Sequence, residues 1–139
     1  MTHLIKIGDG YKDDSDSEEV YWDVHDLART NAPMSSGISG QSNRRDHSSG
    51  YFHEMVKETK MEDWWGQMSQ WGPRYGYKEL NQEDLDLFKK RYEELKDVEE
   101  YRGFHEKFKE EDAVEWFDFL IYWMDYTLKN SKNPMIVVS

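Results

Sequence analysis

Short β-branched runs lie near the two ends of the chain, where hydrophobic residues cluster without helical spacing. Residues 4–7 and 20–24 are separated by glycines, aspartates and serines, which is typical of two strands joined by a long turn. Residues 135–138 follow the breaker Pro134 and predict a third strand, which needs a neighbouring strand for its backbone hydrogen bonds. We therefore expect an acidic hairpin over residues 1–30 and a terminal strand in the same small sheet.

Helical spacing of hydrophobic residues fills the stretch between these strands, residues 51–130. From Tyr51 to Trp71 such residues recur every three or four positions, which predicts a first helix. We expect this helix to end at Gly72, ahead of an aromatic loop over residues 75–77.

Two further helices carry start signals. Asn81 and Asp84 have the spacing of a capping box, and Asp112 and Glu115 repeat that spacing before the last helix. The last helix is apolar on nearly all sides, so we expect it to be buried on most of its surface. Its polar stripe consists of three carboxylates: Glu115, Asp118 and Asp125.

The segment between the hairpin and the first helix has no apolar periodicity. Nine of the sixteen residues from 35 to 50 are serine or glycine, so residues 31–50 are expected to form a loop. The chain of 139 residues suits one domain. Together these elements predict a single α+β domain, in which a small sheet formed by strands near both chain termini packs against three or four helices.

Composition narrows the function classes. The 29 acidic residues outnumber the 18 lysines and arginines and give a net charge of −11, which disfavours direct binding to nucleic acid. The absence of cysteine excludes disulfides, thiolate nucleophiles and cysteine zinc sites. Without a signal peptide or an apolar stretch of about 20 residues, we expect a cytoplasmic protein that does not enter the membrane.

The serine- and glycine-rich loop holds the densest group of reactive residue types. A glycine-rich backbone followed by a helix start can bind an anion, and an arginine could add charge-assisted hydrogen bonds to phosphate. The spacing of a P-loop is missing. The residues assigned to a ligand or partner loop are Ser39, Asn43, Arg44, Arg45, Asp46 and His47.

Acidic and aromatic residues elsewhere predict a surface that binds a partner protein, because tryptophan and tyrosine are common interface anchors. We assign to it Asp13, Asp14, Asp16, Trp64, Trp71, Tyr75, Tyr77, Glu115 and Asp118. The acidic run from residue 9 to residue 19 lacks the glycine and the terminal glutamate of a calcium loop. The pair His53 and Glu54 lacks the second histidine of a zinc protease helix, so we predict neither a metal nor a cofactor.

The sequence thus favours a small acidic protein-binding module that inhibits or modulates another protein, of the kind encoded by phages and mobile elements. Nucleic-acid mimicry by surface carboxylates is a special case of this hypothesis. One alternative is a binder or hydrolase of a phosphate-bearing small molecule that uses loop 35–54. Another is a structural homo-oligomer whose last helix is the subunit interface. No sequence motif indicates a catalysed reaction, so the sequence does not favour an enzyme.

Overall fold

The computed structural model describes residues 2–13, 21–34, 40–72, 75–101 and 112–139. Six strands are present in these ranges: β1 (Thr2–Asp13), β2 (Tyr21–Val24), β3 (Arg44–Ser48), β4 (Ser69–Gly72), β5 (Tyr75–Glu79) and β6 (Pro134–Val138). The helices are α1 (Ser49–Glu58), α2 (Glu62–Trp65), α3 (Gln82–Leu95) and α4 (Ala113–Asn130), with a 3₁₀ turn at Glu99–Tyr101. No helix in the described ranges is both long enough and apolar enough to cross a membrane.

Strand β1 connects the two halves of an antiparallel sheet with the order β2-β1-β6-β5-β4. On one edge of β1, Leu4 exchanges two backbone hydrogen bonds with Ser139, just beyond β6. On the other edge, Ile7 donates to the carbonyl of Asn43, beside β3, and further along Gly10 pairs with Val24 of β2. Strands β3 and β2 therefore lie end to end along one edge of β1.

This architecture confirms the predicted α+β fold, with strands from both chain termini paired in one sheet and packed against helices. The predicted hairpin is the antiparallel pair of β1 and β2. The predicted terminal strand is β6, which places Ile136 opposite Ile7. Both side chains are fully buried in the main core beneath the helices.

Helix α4 is the centre of that core, as its all-round hydrophobicity predicts. Trp116 and Trp123 have 0% of their surface exposed. The Trp116 ring stacks on Trp65 with centroids 5.7 Å apart and planes nearly parallel. The predicted caps are also confirmed: the Asp112 carboxylate accepts from the Glu115 amide at 2.7 Å, and α3 begins with a complete capping box.

The prediction of one helix from Tyr51 to Trp71 is wrong. Helix α1 ends at Glu58, Lys60 takes a positive φ of 57°, and Trp71 belongs to β4. The predicted loop over residues 75–77 is instead part of β5, which pairs with β4 and β6. Large apolar residues recur at helical spacing here because two short helices, α1 and α2, each place some of them in the core.

The prediction of a loop over residues 31–50 is wrong at its end, because residues 44–48 form β3. Its side chains alternate between solvent and core, but the buried positions carry Arg45 and His47 instead of aliphatic residues. A strand with this composition has no hydrophobic alternation in the sequence. Helix α1 then begins at Ser49, with the Ser48 hydroxyl as its cap. Three predicted site residues, Asp14, Asp16 and Ser39, lie outside the described ranges.

Candidate binding groove

A buried asparagine fixes the path of the chain between β2 and β3. The side-chain amide of Asn43 donates to the carbonyls of Ile7 at 3.0 Å and His25 at 2.9 Å. Its oxygen accepts from the Leu27 amide at 3.0 Å. Because the residue is 1% exposed, these backbone groups would have few other partners without it. Asn43 thus attaches the start of the crossing segment, residues 25–34, to the sheet.

Gln41 holds the second half of the crossing segment. Its side-chain amide donates to the carbonyls of Thr30 at 2.6 Å and Ala32 at 3.1 Å, and the Arg29 amide donates to its backbone carbonyl. The crossing segment is thereby held against the outer side of α4, where it forms one wall of a groove. This groove has two parts, which we call the Arg29 cleft and the Asp118 cleft.

The Arg29 cleft has a volume of about 380 Å³. Arg29 stacks its guanidinium over the Tyr126 ring, with the carbon 4.2 Å from the centroid, and its Nε donates to the Tyr122 hydroxyl at 3.0 Å. That hydroxyl donates in turn to Asn31 at 2.8 Å. The hydrogen bond from Arg29 to Tyr122 raises the pKa of the guanidinium. Asp125 also lines this cleft and pairs with Lys129 at 3.0 Å.

The Asp118 cleft adjoins it across Tyr122 and has a volume of about 550 Å³. Its walls are mostly apolar and come from three elements: the crossing segment, α3 and α4. The lining side chains are Pro33, Lys89, Tyr92, Glu93, Asp118, Ile121 and Tyr122. A mixture of apolar walls and a few polar groups is typical of binding sites.

Asp118 is the most perturbed carboxyl group of the groove. Burial raises its pKa above the ordinary 3.8, and the neighbouring Asp112 raises it further. A hydrogen bond from the Tyr92 hydroxyl and the charge of Arg45 lower it, but by less. The pKa of Tyr92 is raised as well, first by burial and then by the Asp118 charge. A half-buried carboxylate in a cleft with a perturbed pKa is a candidate functional group.

The predicted ligand loop is not brought together as one site. Along β3, Arg44 and Asp46 are exposed, whereas Arg45 and His47 are buried on the opposite face. Arg45 lies over the Phe119 ring at 4.6 Å and donates to the Pro33 carbonyl at 3.1 Å. The two arginines therefore cannot grip one phosphate, because neighbouring strand residues point to opposite sides of a sheet.

The predicted partner-binding residues are dispersed over the fold. Trp64 is buried and its indole N–H donates to Asp84 at 2.9 Å, so it serves the core. Tyr77 packs beside Trp22 on the other face of the sheet. Asp13 ends β1, Glu115 is exposed in the first turn of α4, and Trp71 and Tyr75 have their backbones in β4 and β5. Among the members of this set that the structure describes, Asp118 is the one that lines the groove.

Sequence reasoning missed most of the groove. Arg29, Tyr92 and Tyr122 are not among the residues that the sequence predicts to bind a ligand or a partner. A tyrosine on the edge of an apolar helix face is a usable signal, since its ring can pack while its hydroxyl reaches a polar partner. Which tyrosines meet depends on the pairing of α3 with α4, and no local pattern gives that.

The groove offers binding groups and no evident reaction. Within the described part of the chain, no cluster of three or more histidine, aspartate or glutamate side chains has the geometry to hold a metal ion. Comparisons of the chain with models of protein families, with curated proteins and with solved structures found no match.

The two arginines of β3 should differ in their effect on stability. We expect Arg45→Ala to lower the free energy of unfolding by about 2–4 kcal/mol, because it removes buried packing and leaves the Pro33 carbonyl without this donor. Arg44→Ala is the matched control and should change stability by less than about 0.5 kcal/mol, since its side chain is exposed. Urea unfolding of both variants measures this, and equal losses would contradict the assignment of Arg45 to the core.

Asp118 should lower stability at neutral pH. Because the pKa of the folded state lies above that of the unfolded state, the folded form retains its proton over a pH window in which the unfolded form loses it. The contribution of Asp118 to stability therefore falls as the pH rises from its ordinary pKa of 3.8 through its higher pKa in the folded state. Relative to wild type, Asp118→Asn should gain stability across that window and hold the gain at pH 7. Thermal unfolding of both proteins from acid to neutral pH tests this. A stability difference between variant and wild type that does not grow as the pH rises would contradict it.

Proposed function

We propose that this chain is a protein-binding module that holds a segment of a basic partner in the groove along α4. The groove itself is the observation that carries the proposal. Its two open clefts share Tyr122, and its walls combine aromatic and aliphatic side chains with the carboxylates of Glu93, Asp118 and Asp125. An elongated groove of this composition suits several consecutive side chains of an extended peptide better than one compact small molecule.

The charge of the chain supports a basic partner. A net charge of −11 attracts cationic surfaces and repels phosphates, so association with a basic protein would be accelerated at low salt. Complementary charge acts mainly on the encounter rate, while the apolar walls of the groove would set the lifetime of the complex. Tyrosines are suited to such walls because they contribute large contact areas at a small cost in conformational entropy.

An inhibitory role, nucleic-acid mimicry, a cytoplasmic location and a phage or mobile-element origin stay predictions from composition. The two alternatives have less support. The phosphate-binding loop can draw on either Arg44 or Arg45, and β3 exposes Arg44 but buries Arg45. A homo-oligomer built on α4 would need a wide uncovered apolar face, but most large apolar residues of α4 are buried in the same chain, while the partly buried Ile121, Tyr122 and Tyr126 line the groove.

Two charge-reversal variants test the proposal. The groove variant combines Glu93→Lys with Asp125→Lys, and the control combines Glu62→Lys with Asp63→Lys, so both make the same change in net charge at exposed or half-exposed helix positions. Each tagged protein is used for affinity capture from extracts of the native host, followed by mass spectrometry and binding kinetics with the captured partner. We expect the groove variant to bind that partner at least about tenfold more weakly, through a slower association rate, and the control to keep most of its affinity.

Equal affinity of wild type, groove variant and control would contradict the proposal. Loss of binding in the control alone would do so as well, because it would place the interface at α2. The surface ion pairs that the groove variant breaks, Glu93 with Lys96 and Asp125 with Lys129, contribute little to stability, so the variant is expected to fold.

A further inference from the structure

The groove already binds one guanidinium group, which belongs to the chain itself. In the Arg29 cleft a tyrosine ring stacks on the cation, a tyrosine hydroxyl accepts one of its hydrogen bonds, and the carboxylate of Asp125 lines the same space. Ring stacking and hydrogen bonding are two of the contacts by which proteins recognise arginine side chains, and pairing with a carboxylate is the third. The outer side of α4 is therefore chemically suited to arginine.

The Asp118 cleft has similar residue types, with Lys89 on its wall and the charge of Arg45 acting on Asp118, but no stacked guanidinium like that of Arg29 is described in it. Asp118 and Asp125 are seven residues apart, so their positions lie about 10.5 Å apart along the helix axis. Tyr92 and Tyr122 stand beside Asp118 as Tyr122 and Tyr126 stand beside Asp125. Within the described ranges, no lysine or arginine nitrogen lies within 4 Å of the Asp118 carboxylate.

We propose that the Asp118 cleft is the binding site for an arginine side chain of the partner. The guanidinium would donate hydrogen bonds to the Asp118 carboxylate between the rings of Tyr92 and Tyr122, and the methylene groups would pack on Pro33 and Ile121. That the cleft binds a cation follows from its own side chains. That this cation is an arginine of a partner protein rests on the proposed function.

Arginine binding would compete with protonation of Asp118. The charged and titratable groups that face this carboxyl are Tyr92, Glu93 and Lys89 on α3, Arg45 on β3 and Asp112 at the start of α4. Burial dominates over all of these and favours the neutral carboxyl. A bound cation favours the ionised form, so affinity for arginine should decrease as the pH is lowered through the pKa of Asp118.

A small probe tests the site without any partner. The full chain, labelled with ¹⁵N, is titrated with N-acetyl-arginine amide, and the neutral isostere N-acetyl-citrulline amide serves as the ligand control. We expect saturable chemical-shift changes centred on residues 89–93 and 118–122 with the arginine probe only. Asp118→Asn should weaken binding at least about tenfold, since it removes a charged acceptor. Asp63→Asn, the matched control at an exposed position of α2 outside the groove, should change affinity less than about twofold.

A response to citrulline equal to that of arginine would overturn the proposal, as would equal affinity of the wild-type and Asp118→Asn proteins. If Asp118→Asn fails to fold, the wild-type chain gives the answer, because its affinity for the arginine probe should fall as the pH is lowered through the raised pKa of Asp118. A constant affinity from neutral pH to below the ordinary aspartate pKa of 3.8 would overturn the site. Binding of the probe does not require a partner, so failure to capture one would leave this site intact. If a partner is captured but the arginine probe does not bind, the protein-binding function would stand and the arginine site would be overturned.

Discussion

The side-chain amide of Asn43 is the interaction on which the groove depends. It satisfies two carbonyls and one amide of the backbone, contributed by Ile7 of β1 and by His25 and Leu27 of the crossing segment. The Ile7 carbonyl is buried, and such a group without a partner costs about 1–3 kcal/mol, so its bond to Asn43 favours the observed path of the crossing segment. Gln41 extends the same attachment to Thr30 and Ala32. The wall that faces α4 is therefore fixed from the sheet side.

The aromatic residues divide into two groups with different roles. Among the residues whose burial the structure describes, the tryptophans and phenylalanines other than Trp22 lie in the main core together with Tyr51, and there Trp65, Trp116 and Phe88 pack edge-on or stacked. The groove uses tyrosines, whose rings form walls while their hydroxyls bond to polar groups, as Tyr122 does with Arg29 and Asn31. This explains how a chain with so many charged residues buries a continuous core and still presents aromatic surface to a partner.

Asp118 links the fold to the proposed function. A half-buried carboxyl whose pKa is raised by burial is unfavourable to the folded state at neutral pH, and neither Tyr92 nor Arg45 fully compensates it. Groups that reduce stability in this way are found at binding and catalytic sites, where the ligand supplies the missing interaction. A cationic partner would stabilise the ionised form of Asp118 and so recover that loss on binding.

Elements with a signal among a few neighbouring residues were predictable from the sequence, whereas contacts between distant segments were not. The terminal strands, the caps at Asn81 and Asp112 and the buried last helix were predictable because each has a signal within a few residues. Strand β3 was not, because it buries Arg45 and His47 where a strand usually buries aliphatic residues. Asp118 stood out as a carboxylate on an apolar helix, but two walls of its cleft come from the crossing segment and α3, more than 20 positions away, so composition and spacing could not identify Tyr92 or Pro33 as neighbours.

Site-specific photo-crosslinking in the native host tests the central claim, that the groove along α4 holds a partner protein. A photoreactive amino acid replaces Glu93, on the rim of the Asp118 cleft. In a second variant it replaces Glu62 on α2, which is also exposed to solvent but lies outside the groove. We expect a covalent adduct with one partner from position 93 and little or none from position 62. An adduct from position 62 with none from position 93 would contradict it.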